Sequence, residues 1–164
     1  MLQMQKKKQR QRRNDGKPYI KIIDWVFHNE QEIRQAIIDE RNKAAGNPLV
    51  RNASKISKPT EVAVMQEMVP PPPLPVVILK EDDGELKYLE HPERWLVVID
   101  RTYAWCKRQK GCYYEAAHRR YNGESYKTIC MELYISTTSL SYILDDVRTY
   151  AALQAVQFHL IKVE

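Results

Sequence analysis

From Pro18 the chain sets apolar residues at helical spacing. Ile20, Ile23, Trp25, Val26 and Phe27 cluster first, and Ile33, Ala36, Ile37 and Ile38 continue the pattern. Charged residues fill the gaps as far as Lys43, and Gly46-Asn47-Pro48 is a stop signal. Acidic and basic side chains alternate along this stretch, which predicts an exposed helix rather than a core one. Ser57-Lys58-Pro59-Thr60-Glu61 reads as a second helix start, with Pro and Glu suited to a first turn. Val62, Met65 and Met68 then give a short amphipathic helix ending at Pro70. Pro70 to Pro73 and Pro75 form a run whose fixed φ and missing N–H groups predict extended polyproline II. It is read as a stiff spacer, the other use of such a run being a ligand for a proline-binding domain. Val76-Val77-Ile78-Leu79 and Leu86-Lys87-Tyr88-Leu89 are β-prone, and Asp82-Asp83-Gly84 between them predicts a hairpin. A lone hairpin is marginal in water, so this one is expected to pack on helices.

Past the hairpin, helical periodicity becomes stronger. Pro92 and Glu93 open a helix with Leu96, Ile99, Tyr103 and Cys106 on one face and Trp95, Val98, Thr102 and Trp105 beside it. So wide an apolar stripe predicts burial on two sides. Lys107, Arg108 and Lys110 suit its C-terminus, and Gly111 ends it. Tyr113, Ala116, Ala117 and Arg120 mark another helix, broken by Asn122-Gly123. In the next segment Tyr126, Ile129, Cys130 and Leu133 are expected to point inward, with the small Cys130 where two helices cross closely. A turn follows at Tyr134-Ile135, with Ile135 as its plug. Tyr134 stands where many helix-turn-helix proteins have Gly. Ser136 is placed to cap the next helix, and Leu140, Leu144 and Val147 recur at i, i+4, i+7. Two short helices joined by a tight turn make a helix-turn-helix from Ser125 to Val147. The expected fold is mainly α, a C-terminal helix-turn-helix bundle with N-terminal helices and a small β-hairpin. Its regions are a disordered basic tail (1–17), an N-terminal helical region (18–69), a proline-rich linker with hairpin (70–91) and a DNA-binding domain (92–164).

The outward face of the second helix holds Thr137, Thr138, Ser141, Tyr142 and Asp145. Hydroxyls can bond base edges or phosphates, and a threonine methyl can touch the methyl of thymine. No Lys or Arg lies on this face, so phosphate anchoring falls to Lys127, Arg119, Arg120 and Arg148. The alternative is a helix-turn-helix that packs only on protein.

Composition changes the picture in one respect. The 164 residues suit one principal domain, and 29% charged residues with a mean hydropathy of −0.58 predict a soluble protein. No apolar run approaches the roughly 20 residues of a membrane span. No apolar segment follows the basic start, so a secretory signal is not read and the cytoplasm is expected. Charge, however, is unevenly placed. Residues 1–17 carry seven Lys or Arg and one Asp, a net of +6, whereas the other 147 carry 19 basic and 20 acidic residues, a net of −1. Such a segment either adds sequence-independent phosphate contacts or is solvated without a partner. Cys106, Cys112 and Cys130 form neither a disulfide framework nor a zinc pattern and are read as reduced, packed thiols. His28, His91, His118 and His159 lack metal-ligand spacing. With no phosphate loop, HExxH or nucleophile triad, no enzyme, metal or cofactor is expected. Asp145-Asp146, as helix neighbours, do not share a face and are read as solvated or helix-pairing charges.

The stretch RRYNGESYKTICMELYISTTSLSYIL resembles the C-terminal promoter-reading domain of sigma factors. More specifically, PERWLVVIDRTY followed by SYKTICMELYISTTSLSYILDDVRTYAALQAVQFHLIKV resembles the ArpU/RinA group of phage transcriptional regulators. Lys58-Pro59-Thr60 and His91-Pro92-Glu93-Arg94-Trp95-Leu96 stand where that group has its helix starts, and Leu160-Ile161-Lys162-Val163 close the match, which spans about residues 20–164. The resemblance implies a sequence-specific, DNA-binding activator of late phage or prophage genes in the bacterial host cell. Double-stranded DNA is then the partner, bound either as a homodimer or as a monomer docked on RNA polymerase. The other reading is the DNA-recognition small subunit of a phage packaging terminase. Such subunits carry the motif near the N-terminus and form rings through a helical hairpin, whereas here the motif is C-terminal.

Overall fold

The computed structural model describes residues 18–46, 73–80 and 84–162. The helix expected after Ser57, the first part of the proline run and residues 81–83 of the hairpin turn lie outside them, as does the basic segment 1–17. Among the described residues the protein is mainly helical, with one two-stranded antiparallel sheet. The elements are α1 (Pro18–His28), α2 (Glu30–Gly46), β1 (Val76–Lys80), β2 (Leu86–Glu90), α3 (Pro92–Arg108), α4 (Tyr113–Tyr121), α5 (Tyr126–Glu132) and α6 (Thr137–Gln157). No helix among the described residues is long and apolar enough to cross a membrane.

The chain divides into two compact units, one made of residues up to Glu30 together with Arg94 onward, the other of Gln31–Glu93. The first therefore includes α1, which the sequence groups with an N-terminal region. In the second unit, β1 and β2 pair in the register Val77↔Leu89 and Ile78↔Tyr88. Period-two alternation buries Val77, Leu79 and Leu89 and leaves Val76, Ile78, Leu86 and Tyr88 exposed. Pro75 closes the hairpin base by accepting from His91 N–H at 2.8 Å. Ile33 and Ile37 of α2 are buried while its charged residues face out.

The periodicity between Pro18 and Gly46 suggests one exposed helix, but there are two, broken at Asn29. The Asn29 side chain donates to Trp25 O at 2.8 Å and its backbone N–H reaches the same carbonyl at 3.0 Å. A short amide competing for helical carbonyls is a local reason for the chain to turn there. Nor is α1 a surface helix: Ile23 and Val26 are fully buried and Phe27 nearly so.

The core of the first unit also draws on α3, α4, α5 and α6. Trp95, Val98, Ile99, Thr102 and Cys106 of α3 are buried, and the Thr102 hydroxyl satisfies itself by donating to Val98 O at 2.7 Å. Leu140, Leu144, Val147 and Ala151 of α6 are fully buried, with Ile143, Gln154 and Ala155 alongside. The inward pattern that marks the motif thus runs on for about two more turns, to Ala155. No Gly or Pro interrupts 137–157, and Ala151, Ala152 and Ala155 favour helix. Buried Gln154 accepts from Arg101 Nη1 at 3.3 Å, which allows a polar residue on this face.

Three helices of this unit end alike. Gly123 (φ 91°), Tyr134 (φ 53°) and His159 (φ 57°) take the left-handed conformation. In each case the following N–H returns to a carbonyl five residues back: Glu124 to Arg119, Ile135 to Cys130 and Leu160 to Ala155. Only Gly123 has the residue type that adopts this conformation without steric cost.

Candidate nucleic-acid interface

α5 and α6 each start at a serine cap. Ser125 and Ser136 both have extended backbone conformations and both accept, through Oγ, the backbone N–H three residues on: Thr128 at 3.1 Å and Ser139 at 3.0 Å. Their hydroxyls also pair with Thr128 Oγ1 at 2.8 Å and Ser139 Oγ at 2.9 Å. Each cap supports its helix start by about 1 kcal/mol. Ser136 was legible from sequence as a cap; Ser125 repeats the same Ser-x-x-Ser/Thr spacing.

Between α5 and α6, the turn is made by Tyr134 in the left-handed region. Its ring packs on nothing, being 93% exposed. Ile135 is half-buried beneath it. Of the four α5 positions expected to point inward, only Ile129 is fully buried; Tyr126, Cys130 and Leu133 are half-buried. The reason is length. Seven residues give two turns, so one position reaches the centre of the contact with α6 and the others flank it.

On α6 the two faces separate cleanly. Leu140, Leu144 and Val147 lie beneath at zero exposure, while Thr137, Thr138, Ser141 and Tyr142 are all exposed. At 100° per residue these four occupy one stripe over the first two turns. None of their side-chain hydroxyls has a hydrogen-bond partner among the described residues. They are acceptor and donor groups held on a packed scaffold and open to solvent. The helix N-terminus adds a positive dipole end with no acidic residue in its first turn.

The four basic residues assigned to phosphate anchoring divide. Lys127 is exposed and without a carboxylate partner among the described residues. Arg120 is half-buried, stacks 5.1 Å over the Tyr126 ring and donates to Glu124 O at 3.3 Å, also with no carboxylate. Arg119 sits among three: it pairs with Glu132, with Glu115 at 3.3 Å and with Glu124 at 3.6 Å. The Glu132 and Glu115 hydrogen bonds raise its pKa. Arg148 is 15% exposed and bonds Asp24 at 2.8 Å and Asp145 at 3.1 Å. Burial disfavours its charge, but the Asp24 hydrogen bond and the surrounding charges outweigh this and its pKa is raised. Arg119 and Arg148 are thus held by carboxylates of their own chain.

Two residues that sequence reasoning did not single out position this site. Asp24 Oδ1 accepts both Arg148 Nε at 2.8 Å and the Tyr121 hydroxyl at 2.9 Å. Tyr121 is 3% exposed, packs its ring on Phe27 at 4.9 Å, and its carbonyl lies 3.1 Å from His28 Nδ1. Burial, then the Asp24 charge, lift its pKa well above the ordinary phenol range. These contacts span 93 to 124 residues of sequence and join α1 to α4 and α6. No local pattern could reveal them. Asp146, the other carboxylate of the pair, accepts the Tyr113 hydroxyl at 2.8 Å. Tyr113 meets Trp105 edge-on, and Trp105 stacks on Tyr150 at 4.7 Å.

Cys106 is buried and Cys112 and Cys130 are half-buried; all three are free thiols, with burial pushing the Cys106 thiol up to about 11. Among the described residues no group of His, Cys, Asp and Glu is placed to hold a metal ion. Searches against family models, curated proteins and solved structures find no match to this chain.

Proposed function

We propose that this chain is a sequence-specific DNA-binding transcriptional regulator that lays the first two turns of α6 in the major groove. The observation that carries the reading is the stripe of Thr137, Thr138, Ser141 and Tyr142, exposed and without hydrogen-bond partners among the described residues, above a fully buried underside. A rigid helix presenting hydroxyls and a threonine methyl is suited to base edges, and a short capped helix and turn in front of it suit the approach to the backbone. Lys127 and Arg120 are the phosphate contacts that the fold leaves available on the motif and the helix before it. The likeness of PERWLVVIDRTY and SYKTICMELYISTTSLSYIL to phage regulators supports an activator of late phage or prophage genes.

The test is equilibrium binding to a duplex selected from a random pool. Thr138→Ala and Tyr142→Ala are each expected to lower affinity by about 5- to 150-fold, the equivalent of ~1–3 kcal/mol per lost base contact, and to relax preference at one position. Unchanged affinity and preference in both variants would remove this face from recognition.

A further inference from the structure

We propose that Arg108 and Lys110, at the turn between α3 and α4, form a phosphate-binding site for the strand along one edge of the groove, opposite the strand met by Arg120 and Lys127; this rests on the reading of α6 given above. The position of the turn follows from three contacts along α6. Arg101 donates to Gln154 at 3.3 Å, Trp105 stacks on Tyr150 at 4.7 Å, and the Tyr113 hydroxyl donates to Asp146 at 2.8 Å. Each step moves four residues back toward the start of α6. The turn joins Trp105 to Tyr113 and so lies beside residues 146–150, about 6–12 Å beyond Tyr142 along the helix axis at ~1.5 Å per residue. It is fixed there. Gln109 returns its backbone N–H to Cys106 O at 3.1 Å and its side-chain amide to Trp105 O at 3.3 Å, and Tyr113 meets Trp105 edge-on.

The side that the turn occupies follows from Asp146 and Arg148. Two residues apart, they point about 160° away from each other around α6, and Thr138, Ser141 and Tyr142 fall in the arc between them. A helix seated in a major groove has a phosphate strand along each edge, the edges being about 12 Å apart. On the Arg148 flank stand Asp24, Tyr121 and, next to Tyr121, Arg120 stacked on Tyr126. The Asp146 flank is the one that carries the α3–α4 turn. The exposed cations of the unit sort accordingly. Lys21, one turn before Asp24 on α1, belongs to the Arg148 flank. Arg94 and Arg101 lie at the far end of α6, bonded to Phe158 O at 3.4 Å and to Gln154, and Lys162 follows that end. Lys107 is drawn over the Tyr114 ring at 4.5 Å. Arg108 and Lys110 are exposed with no carboxylate partner among the described residues. The carboxylates around them are engaged elsewhere, Asp146 by Tyr113 and Glu115 by Arg119.

The experiment compares the full chain with Arg108→Gln/Lys110→Gln and with a control of equal charge, Lys107→Gln/Lys162→Gln. Each is titrated from about 50 to 200 mM salt with the selected duplex and with an unrelated duplex of equal length. Two phosphate contacts fewer flatten the slope by about 1.8, so the loss of affinity over this range should be about tenfold smaller in the first variant than in the wild type. The control should keep the wild-type slope, and the ratio of affinities for the two duplexes should be unchanged in all three proteins. Ethylation of single phosphates should interfere on both strands for the wild type and on one strand for the first variant. A wild-type slope in Arg108→Gln/Lys110→Gln overturns the inference while leaving the α6 reading intact; with a lowered Tm, it would assign the two cations to the C-terminal end of α3 alone. Equal flattening in the control overturns it too, since net charge would then be the cause. A full chain that binds neither duplex at the lowest salt sinks the α6 reading and this inference together.

Discussion

Replacing Asp24 by Ala tests whether α1 belongs to the unit that carries α6. The carboxylate loses two donors, Arg148 Nε and the Tyr121 hydroxyl. The pair is neither exposed nor fully buried, at 15% for Arg148 and 27% for Asp24. An exposed pair contributes about 0–1 kcal/mol, while breaking a buried one costs about 3–5 kcal/mol. The intermediate burial, with roughly 1 kcal/mol for the Tyr121 hydrogen bond, gives a loss of about 2–3 kcal/mol. For a unit of this size that is a fall in Tm of about 10–20 °C. Asp24→Asn keeps an acceptor but not the charge, and should lose about half as much. Urea unfolding of Asp24→Ala, Arg148→Ala and the double variant should return a coupling energy of about 1–2 kcal/mol. A loss under about 0.5 kcal/mol for Asp24→Ala, or no coupling with Arg148, would mean that α1 is not held as described.

Other consequences follow from single residues. Tyr134 adopts φ 53° with its ring in solvent, so Tyr134→Gly trades a left-handed cost of ~1–2 kcal/mol for a chain-entropy cost of ~0.5–1 kcal/mol. Urea melts should show it about 0.5–1 kcal/mol more stable than Tyr134→Ala, and the reverse order would contradict the turn. Ser125→Ala and Ser136→Ala should each lower stability by about 1 kcal/mol in the same assay, and wild-type values would contradict the caps. Burial holds the Tyr121 phenol uncharged, with its pKa raised in the fold. Its contribution is therefore complete below the ordinary phenol value of about 10 and is lost as pH climbs above that. Thermal melts should begin to fall above about pH 9, where the buried Cys106 thiol is held uncharged by the fold, and fall further above about pH 10 through Tyr121; Tyr121→Phe should be less stable at about pH 8 but decline less steeply beyond about pH 10. Equal alkaline slopes for the two proteins would contradict that assignment.

Most of the C-terminal half was legible because its signals are local. Proline starts, glycine stops and i, i+4, i+7 spacing gave α3, α4 and the inward residues Leu140, Leu144 and Val147 their places, and alternation with Asp-Gly gave the hairpin. Ser136 could be read as a cap because capping depends on one side chain and one nearby N–H. What escaped was competition and distance. Asn29 breaks an otherwise continuous apolar pattern through a side-chain bond to Trp25. That the buried face of α6 continues through a polar Gln154 depends on Arg101 of another helix, which donates to it. Arg148 had the composition of a phosphate contact, but Asp24, 124 residues earlier, draws it into the fold. The hydroxyl stripe was legible as an outward face; that its members have no hydrogen-bond partner among the described residues depends on the packing of the whole unit.

The proposed recognition of DNA depends on whether α6 selects a sequence. Full-length protein and a variant with Thr137, Thr138, Ser141 and Tyr142 all changed to Ala, its helicity checked by circular dichroism, should be used to enrich duplexes from one random pool. A defined consensus is expected for the wild type and none for the folded variant. A wild type that enriches nothing, or a variant that enriches the same consensus, would contradict it.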